Sequence, residues 1–318
     1  MTFDKRKTVL ICAVSLATLA SVVSIVPPQP GTGASRSLLE PRTQPAPLVS
    51  STANNVRLDE TAKTNETATG APALAAPAAD QNRKLKDGLR WTFGGKQQRG
   101  WAIYVPLIQR LIGSNEDASS EGFAASLARW QKRAELAPSG VLDEATLMRM
   151  ISTWQGRRRK SSTYPQPDQL LVAPAADFWD PSRADDLRKV ERQTYAAYKR
   201  MVSAAVGDSS LQLAGRNGEL AASEKYLKII SAFRSRKYQD RLRKLEPRAG
   251  RAALAVNSPH FTGRALDIYV GGEPTITKDS NRALQTQTRA YRWLVNNAER
   301  LGFCPYFYEP WHWEYCAP

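Results

Sequence analysis

The chain of 318 residues contains two histidines, and both stand among other residues able to do chemistry. The first segment reads Ser258-Pro259-His260-Phe261-Thr262-Gly263-Arg264-Ala265-Leu266-Asp267-Ile268-Tyr269, and the second Glu309-Pro310-Trp311-His312-Trp313-Glu314-Tyr315. Two imidazoles and one carboxylate suit zinc, which takes nitrogen, sulfur and oxygen donors in a tetrahedron and in catalytic sites leaves the fourth position to water. His260, Asp267 and His312 are therefore the candidate metal ligands, and the chemistry they point to is hydrolysis. Either histidine alone would read as an ordinary core or surface residue. The coincidence of both with Asp267 and Glu309 argues for a site.

These side chains must be brought together by the backbone. Gly263 allows the loop after His260 to turn back, so that Asp267 in a short strand over Leu266–Val270 reaches the same point. Alternation along that strand puts Asp267 and Tyr269 on one face and Leu266, Ile268 and Val270 in the core. Over 306–315, read as another strand, alternation places Glu314 on the face of His312 and Glu309 on the opposite one. Pro310 is expected to disturb the ladder between them. Both glutamates thus stay open as the base.

Further strand and helix patterns surround these segments: a strand over 226–232, a helix over 235–245 and a long helix over 281–301. Asp180 as N-cap and Pro181 as first helical residue predict a helix through Val206, with Leu187, Val190, Tyr195, Tyr198 and Met201 along its buried face. The fold expected for residues 175–318 is α+β, a small antiparallel sheet with flanking helices carrying the zinc site.

Upstream, apolar residues recur with helical spacing from Trp91 to Trp154, which predicts a small all-α module over residues 83–157. Its stretch from Phe123 to Leu147, with Trp130-Gln131, a turn at Gly140 and Asp143 capping the next helix, resembles the second half of a peptidoglycan-binding module. A helical spacer resting on the following domain is the alternative. Residues 158–174 read as a linker whose basic run, Arg157 to Lys160, is a solvated boundary. Residues 27–82, rich in Pro, Ala, Thr and Ser, read as a disordered tether. In residues 1–26, Lys5, Arg6 and Lys7 precede an uncharged apolar run to Val26, the order of an export signal, and the run is also long enough to serve as an uncleaved membrane anchor. Cys12 lies too early in that run, after Ile11, for a lipoprotein cysteine.

The C-terminal segments resemble the VanY-type D-alanyl-D-alanine carboxypeptidases. Their Ser-x-His-x-x-Gly-x-Ala-x-Asp pattern is matched at Ser258, His260, Gly263, Ala265 and Asp267, and their Glu-x-Trp-His element at Glu309, Trp311 and His312. A third element, a strand ending near an arginine, is matched by Ser231-Ala232-Phe233-Arg234-Ser235 with Gln239 beyond it. The resemblance implies zinc on His260, Asp267 and His312, Glu309 as general base and Arg234 as stabiliser of the transition state. It also implies substrate contacts at Ser258, Gln239 and Trp311. Simple alternation favours Glu314 as the base; the family pattern favours Glu309. Arg234 also reads as one half of a structural ion pair, and Ser258 before a proline as ordinary turn chemistry.

The net charge of +15 draws the surface towards polyanions, and the export signal favours acidic envelope polymers over nucleic acid, which is not expected as a partner. In an oxidising compartment Cys304 and Cys316 predict a disulfide, with two reduced, buried thiols as the alternative. The expected activity is zinc-dependent removal of the terminal D-alanine from peptidoglycan stem peptides by an exported, periplasmic or envelope-associated enzyme. Zinc L,D-carboxypeptidase, D,D-dipeptidase and endopeptidase activities share the same ligands. Outside enzymes, a non-catalytic wall-binding protein has no need of a general base, and a polyanion-binding protein would need no metal.

Overall fold

A computed structural model of the chain describes residues 72–158, 163–245 and 258–317. The segment 1–26 read as an export signal, residues 27–71 of the expected tether, residues 159–160 at the end of the basic run and the basic stretch 246–257 lie outside the described residues. No helix among the described residues is long and apolar enough to cross a membrane.

Helix α1 (Pro72–Gly88) opens inside the segment read as tether. Its alanines are good helix formers, and Ala75, Ala78 and Ala79 are small enough to bury against α3 (Glu121–Arg133). Asn82 locks the contact, donating to the Gly140 carbonyl and accepting from the Leu142 N–H, both at 2.8 Å. The chain then forms a hairpin, β1 (Arg90–Phe93) with β2 (Lys96–Arg99), where helix was expected. Gly94 and Gly95 have φ of 56° and 74°, the left-handed pair that a two-residue hairpin turn requires.

Helices α2 (Val105–Ile112), α3 and α4 (Glu144–Arg157) follow, the last two capped by Ser120 and Asp143. Gln131 ties α3 to the turn before α4: its Oε1 accepts from the Gly140 N–H at 2.8 Å, and its Nε2 donates to the Val141 carbonyl and Thr146 hydroxyl at 2.9 Å. This helical segment shares its core with the C-terminal half. The rings of Phe93, Tyr104 and Trp154 all lie within 6.1 Å of Phe307, and Arg282 donates to the Tyr104 hydroxyl at 3.0 Å.

Part of the segment read as a second linker is strand: β3 (Leu170–Val172) pairs antiparallel with β4 (Lys189–Glu191). The expected helix from Asp180 starts only at Arg192, as α5 (Arg192–Val206). Asp180 closes a local turn instead, its carboxylate accepting from the Ser182 N–H and hydroxyl. Glu191 caps the helix by accepting from the Gln193 and Thr194 N–H groups. Val190 is therefore a buried strand residue, and Leu187 precedes the strand. A short hairpin, β5 (Gly215–Arg216) with β6 (Glu219–Leu220), follows α5.

The central sheet has the order β7 (Ile229–Ser231), β8 (Ala265–Ile268), β10 (His312–Tyr315), β9 (Phe303–Pro305), with every pair antiparallel. All four residues of β8 and of β10 are buried, so both sheet faces are covered and Asp267 lies inside the protein. Strand β7 is shorter than 226–232 because Leu227 takes a φ of 65°. Helix α6 (Arg236–Leu245) follows β7. The helix expected over 281–301 is two, α7 (Asp279–Gln287) and α8 (Arg289–Asn297): Thr288 is extended between them, its hydroxyl accepting from the Tyr291 N–H and donating to the Val270 carbonyl. Between β9 and β10, residues 306–311 form a turn rather than strand, with Pro310 unable to donate to a ladder. The α+β architecture expected from the sequence is the observed one.

Candidate metal centre

Register builds the centre. Asp267 sits in β8 with His312 opposite it on β10 and Ser231 opposite it on β7, so the two neighbouring strands flank the carboxylate. His260 arrives from outside the sheet, on a single 3-10 turn, Pro259–Thr262, which Ser258 caps by accepting from the His260 N–H. Gly263 ends that turn at φ 69°, with the backbone and side chain of Glu191 and the side chain of Leu170 each 3.1 Å from where a Cβ would stand.

His260, Asp267 and His312 are fully buried, and one potential ligand atom from each lies within 4.8 Å of the others. Asp267 Oδ1 is 3.3 Å from His260 Nε2 and 2.9 Å from His312 Nδ1. The outer nitrogens fix which atoms face inward. His260 Nδ1 is 2.7 Å from the Ala232 carbonyl, which can only accept, so the proton belongs on Nδ1 and the Nε2 lone pair points at Asp267. His312 Nε2 is 3.3 Å from Glu314 Oε1, which leaves Nδ1 as the inward donor. Two imidazole nitrogens and a carboxylate oxygen thus converge as electron-pair donors on one point, the arrangement that a divalent cation satisfies.

The electrostatics agree. Burial would lower His312, but the hydrogen bonds and charges of Asp267 and Glu314 push its imidazole up to about 9, so without metal the site keeps a proton there. Burial and the Arg234 charge push His260 down to about 4, leaving it neutral and free to ligate. Burial would raise Asp267, but His260, His312 and Arg234 hold it well below the usual carboxylate range.

Glu309 lies in the turn before β10, where its N–H donates to the Tyr306 carbonyl and its own carbonyl accepts from the His312 N–H. Its carboxylate is fully buried, and neither oxygen has a hydrogen-bond partner among the described residues. Burial pushes this carboxyl up to about 8, against the lowering charges of His312, Arg158 and Arg234. Arg234 is also buried: Nε donates to Ser231 Oγ at 3.0 Å, Nη2 to Asp267 Oδ2 at 2.9 Å, and Nη1 has no partner among the described residues. Its guanidinium therefore both orients a candidate ligand and keeps one donor free. Gln239 on α6 and Trp311 in the turn are buried with their side-chain polar atoms unpartnered among the described residues. Ser258 instead spends its hydroxyl on the cap.

Glu314 takes the face of His312 that alternation gives it, and its carboxylate holds the outer nitrogen of that ring. Arg158, read from the sequence as part of a solvated boundary, is a correction: its guanidinium forms an ion pair with Glu314 at 2.5 Å. Nothing local marks Arg158 for that role, and the Ala232 carbonyl carries no sequence signal at all. Cys304 and Cys316 form a disulfide, Cα atoms 6.0 Å apart, which closes the loop containing the Glu309 turn.

Residues 188–318 match the family model described as VanY, D-alanyl-D-alanine carboxypeptidase. That match covers every strand of the central sheet and the segments that carry His260, Asp267, Glu309 and His312, so this part of the chain is similar to that family. No curated protein matches the chain. Among solved structures, that of the LdcB LD-carboxypeptidase, described as revealing the molecular basis of peptidoglycan recognition, is 23% identical and covers 49% of this chain and 72% of its own, with a TM-score of 0.35.

Proposed function

We propose that the protein is a zinc-dependent D,D-carboxypeptidase that removes the terminal D-alanine of peptidoglycan stem peptides. The observation that carries this reading is the buried trio His260, Asp267 and His312, its outward nitrogens committed to Ala232 and Glu314, beside the unpartnered carboxylate of Glu309. Zinc held by these three side chains supplies Lewis acidity, lowering the pKa of water and polarising a carbonyl.

The chain's own groups supply the rest. Glu309 accepts a proton from the attacking water as the new C–O bond forms at the terminal peptide carbonyl. The same carboxyl returns the proton to the departing amine as the C–N bond breaks. Its desolvated position suits both duties, because burial lifts it towards neutral pH. Arg234, with Nη1 uncommitted, offers a fixed cation to the negative charge that grows on the carbonyl oxygen. Gln239 and Trp311, with unmet polar groups, are the contacts proposed for the peptide. The export-type N-terminus and the surplus of basic residues support an envelope location, and the helical segment 83–157 is proposed to hold the wall polymer.

The test is incubation of the purified protein with a muramyl pentapeptide ending in D-Ala-D-Ala, with and without chelator, with products identified by mass. Loss of a single alanine that chelator abolishes and Zn²⁺ restores supports the reading. Cleavage confined to a tetrapeptide, release of a dipeptide, or cleavage of a cross-link would replace it by L,D-carboxypeptidase, D,D-dipeptidase or endopeptidase activity. Metal binding without any turnover would favour a wall-binding protein.

A further inference from the structure

Arg158 is the residue immediately after α4, at the end of the helical segment that precedes the central sheet. Its Nε and Nη2 both donate to Glu314 Oε1, at 3.0 and 2.5 Å, and its Nη1 donates to Gln155 Oε1 at 2.9 Å. The guanidinium carbon stands 4.2 Å from the centre of the Tyr306 ring, and that ring meets His312 edge-on. The oxygen that receives Arg158 is the same one that faces His312 Nε2. Glu314 is 3% exposed, so a buried anion is shared between a candidate ligand and a cation contributed by α4.

We propose that Arg158 is a positioning residue for the metal centre, holding the Glu314 carboxylate that orients His312, so that metal affinity depends on the docking of α4 against the sheet. The inference rests on the zinc reading above. Its physical basis is the cost of a buried carboxylate without a counter-charge: deprived of Arg158, Glu314 turns away, and the His312 ring loses the acceptor that fixes its tautomer and plane. Arg suits the position because its planar fork places two donors on one oxygen while its face lies on Tyr306. Docking of α4 has supports of its own, in the Arg157–Glu299 ion pair and the stacking of Trp154 on Phe307. Loss of Arg158 alone therefore leaves the helix in place.

The experiment measures Zn²⁺ affinity of the full chain by competition with a chromophoric chelator, and the visible spectrum of the Co²⁺ form, for wild type, Arg158→Gln, Arg158→Lys, Glu314→Gln and the double variant Arg158→Gln/Glu314→Gln. Outer partners of metal ligands typically contribute ~10–100-fold to affinity, and that is the loss expected for Arg158→Gln and for Glu314→Gln. The double variant is expected to lose no more than the worse single one, because both substitutions interrupt one path. Melting of the chelator-treated proteins serves as the control for folding. An Arg158→Gln affinity within twofold of wild type, or losses that multiply in the double variant, would overturn the proposal. Should Arg158→Gln fail to fold, Arg158→Lys decides: it keeps the charge without the fork, and unchanged affinity and spectrum would overturn the proposal equally. A wild-type chain that binds neither metal would instead refute the zinc reading itself.

Discussion

Substituting Glu309 by glutamine separates catalysis from stability at one atom. The side chain is fully buried, keeps its shape in Glu309→Gln, and loses only the ability to carry charge and shuttle a proton. General acid–base contributions run to roughly 10²–10⁴-fold, or about 3–5 kcal/mol at the barrier, so turnover should fall by that factor while Zn²⁺ affinity stays near wild type. The stability effect has the opposite sign. In the metal-free protein burial raises this carboxyl from 4.5 to about 8. Below pH 4.5 both folded and unfolded chains hold the proton and the group costs nothing. Between 4.5 and 8 only the unfolded chain releases it, so stability declines through that window. At about 1.4 kcal/mol per pH step, wild type should be on the order of 3 kcal/mol less stable at neutral pH than if the group did not titrate. Chelator-treated Glu309→Gln should therefore melt several degrees above wild type near neutrality, with the difference vanishing below pH 4.5. The assays are peptide turnover and denaturation of metal-free protein across pH 4–9. Turnover within tenfold of wild type, or parallel stability–pH curves for the two proteins, would refute the assignment of a desolvated buried carboxylate to the base.

Three further outcomes follow from the geometry. Gly263→Ala forces a side chain into a φ of 69° and against Glu191 and Leu170, so it should destabilise the fold by at least ~1 kcal/mol in urea unfolding and weaken metal binding through displacement of His260. Reduction of the Cys304–Cys316 disulfide, which joins positions separated by 12, should cost about 3 kcal/mol by chain entropy, read as a lower melting temperature in reductant. At alkaline pH, burial, opposed by Arg282, holds Tyr104 up at about 12 against 10 in the unfolded chain. Its contribution is fully present below pH 10 and lost as pH rises towards 12, so Tyr104→Phe should blunt the alkaline loss of stability, as followed by circular dichroism and tyrosinate absorbance.

The sequence by itself determined the candidate donor set and much of the local structure. Two histidines in 318 residues, each inside a short segment with its own turn and carboxylate, leave few combinations that can do chemistry. The helix start at Asp143 was equally legible, because a cap is a contact within three residues. Only the tertiary structure decided which groups surround those donors. The register that sets His312 and Ser231 on either side of Asp267 joins three separate strands, and no local propensity encodes it. The alanine-rich start of α1 has too little apolar bulk to announce a helix, and becomes one against α3. Alternation placed Glu314 beside His312, but the turn around Pro310 takes Glu309 off the ladder and buries its carboxylate. Arg158 meets Glu314 across 156 positions, a contact made when α4 docks on the sheet. Chemistry-bearing residues declare themselves by type and short spacing; the partners that set their tautomers and charges are chosen by folding.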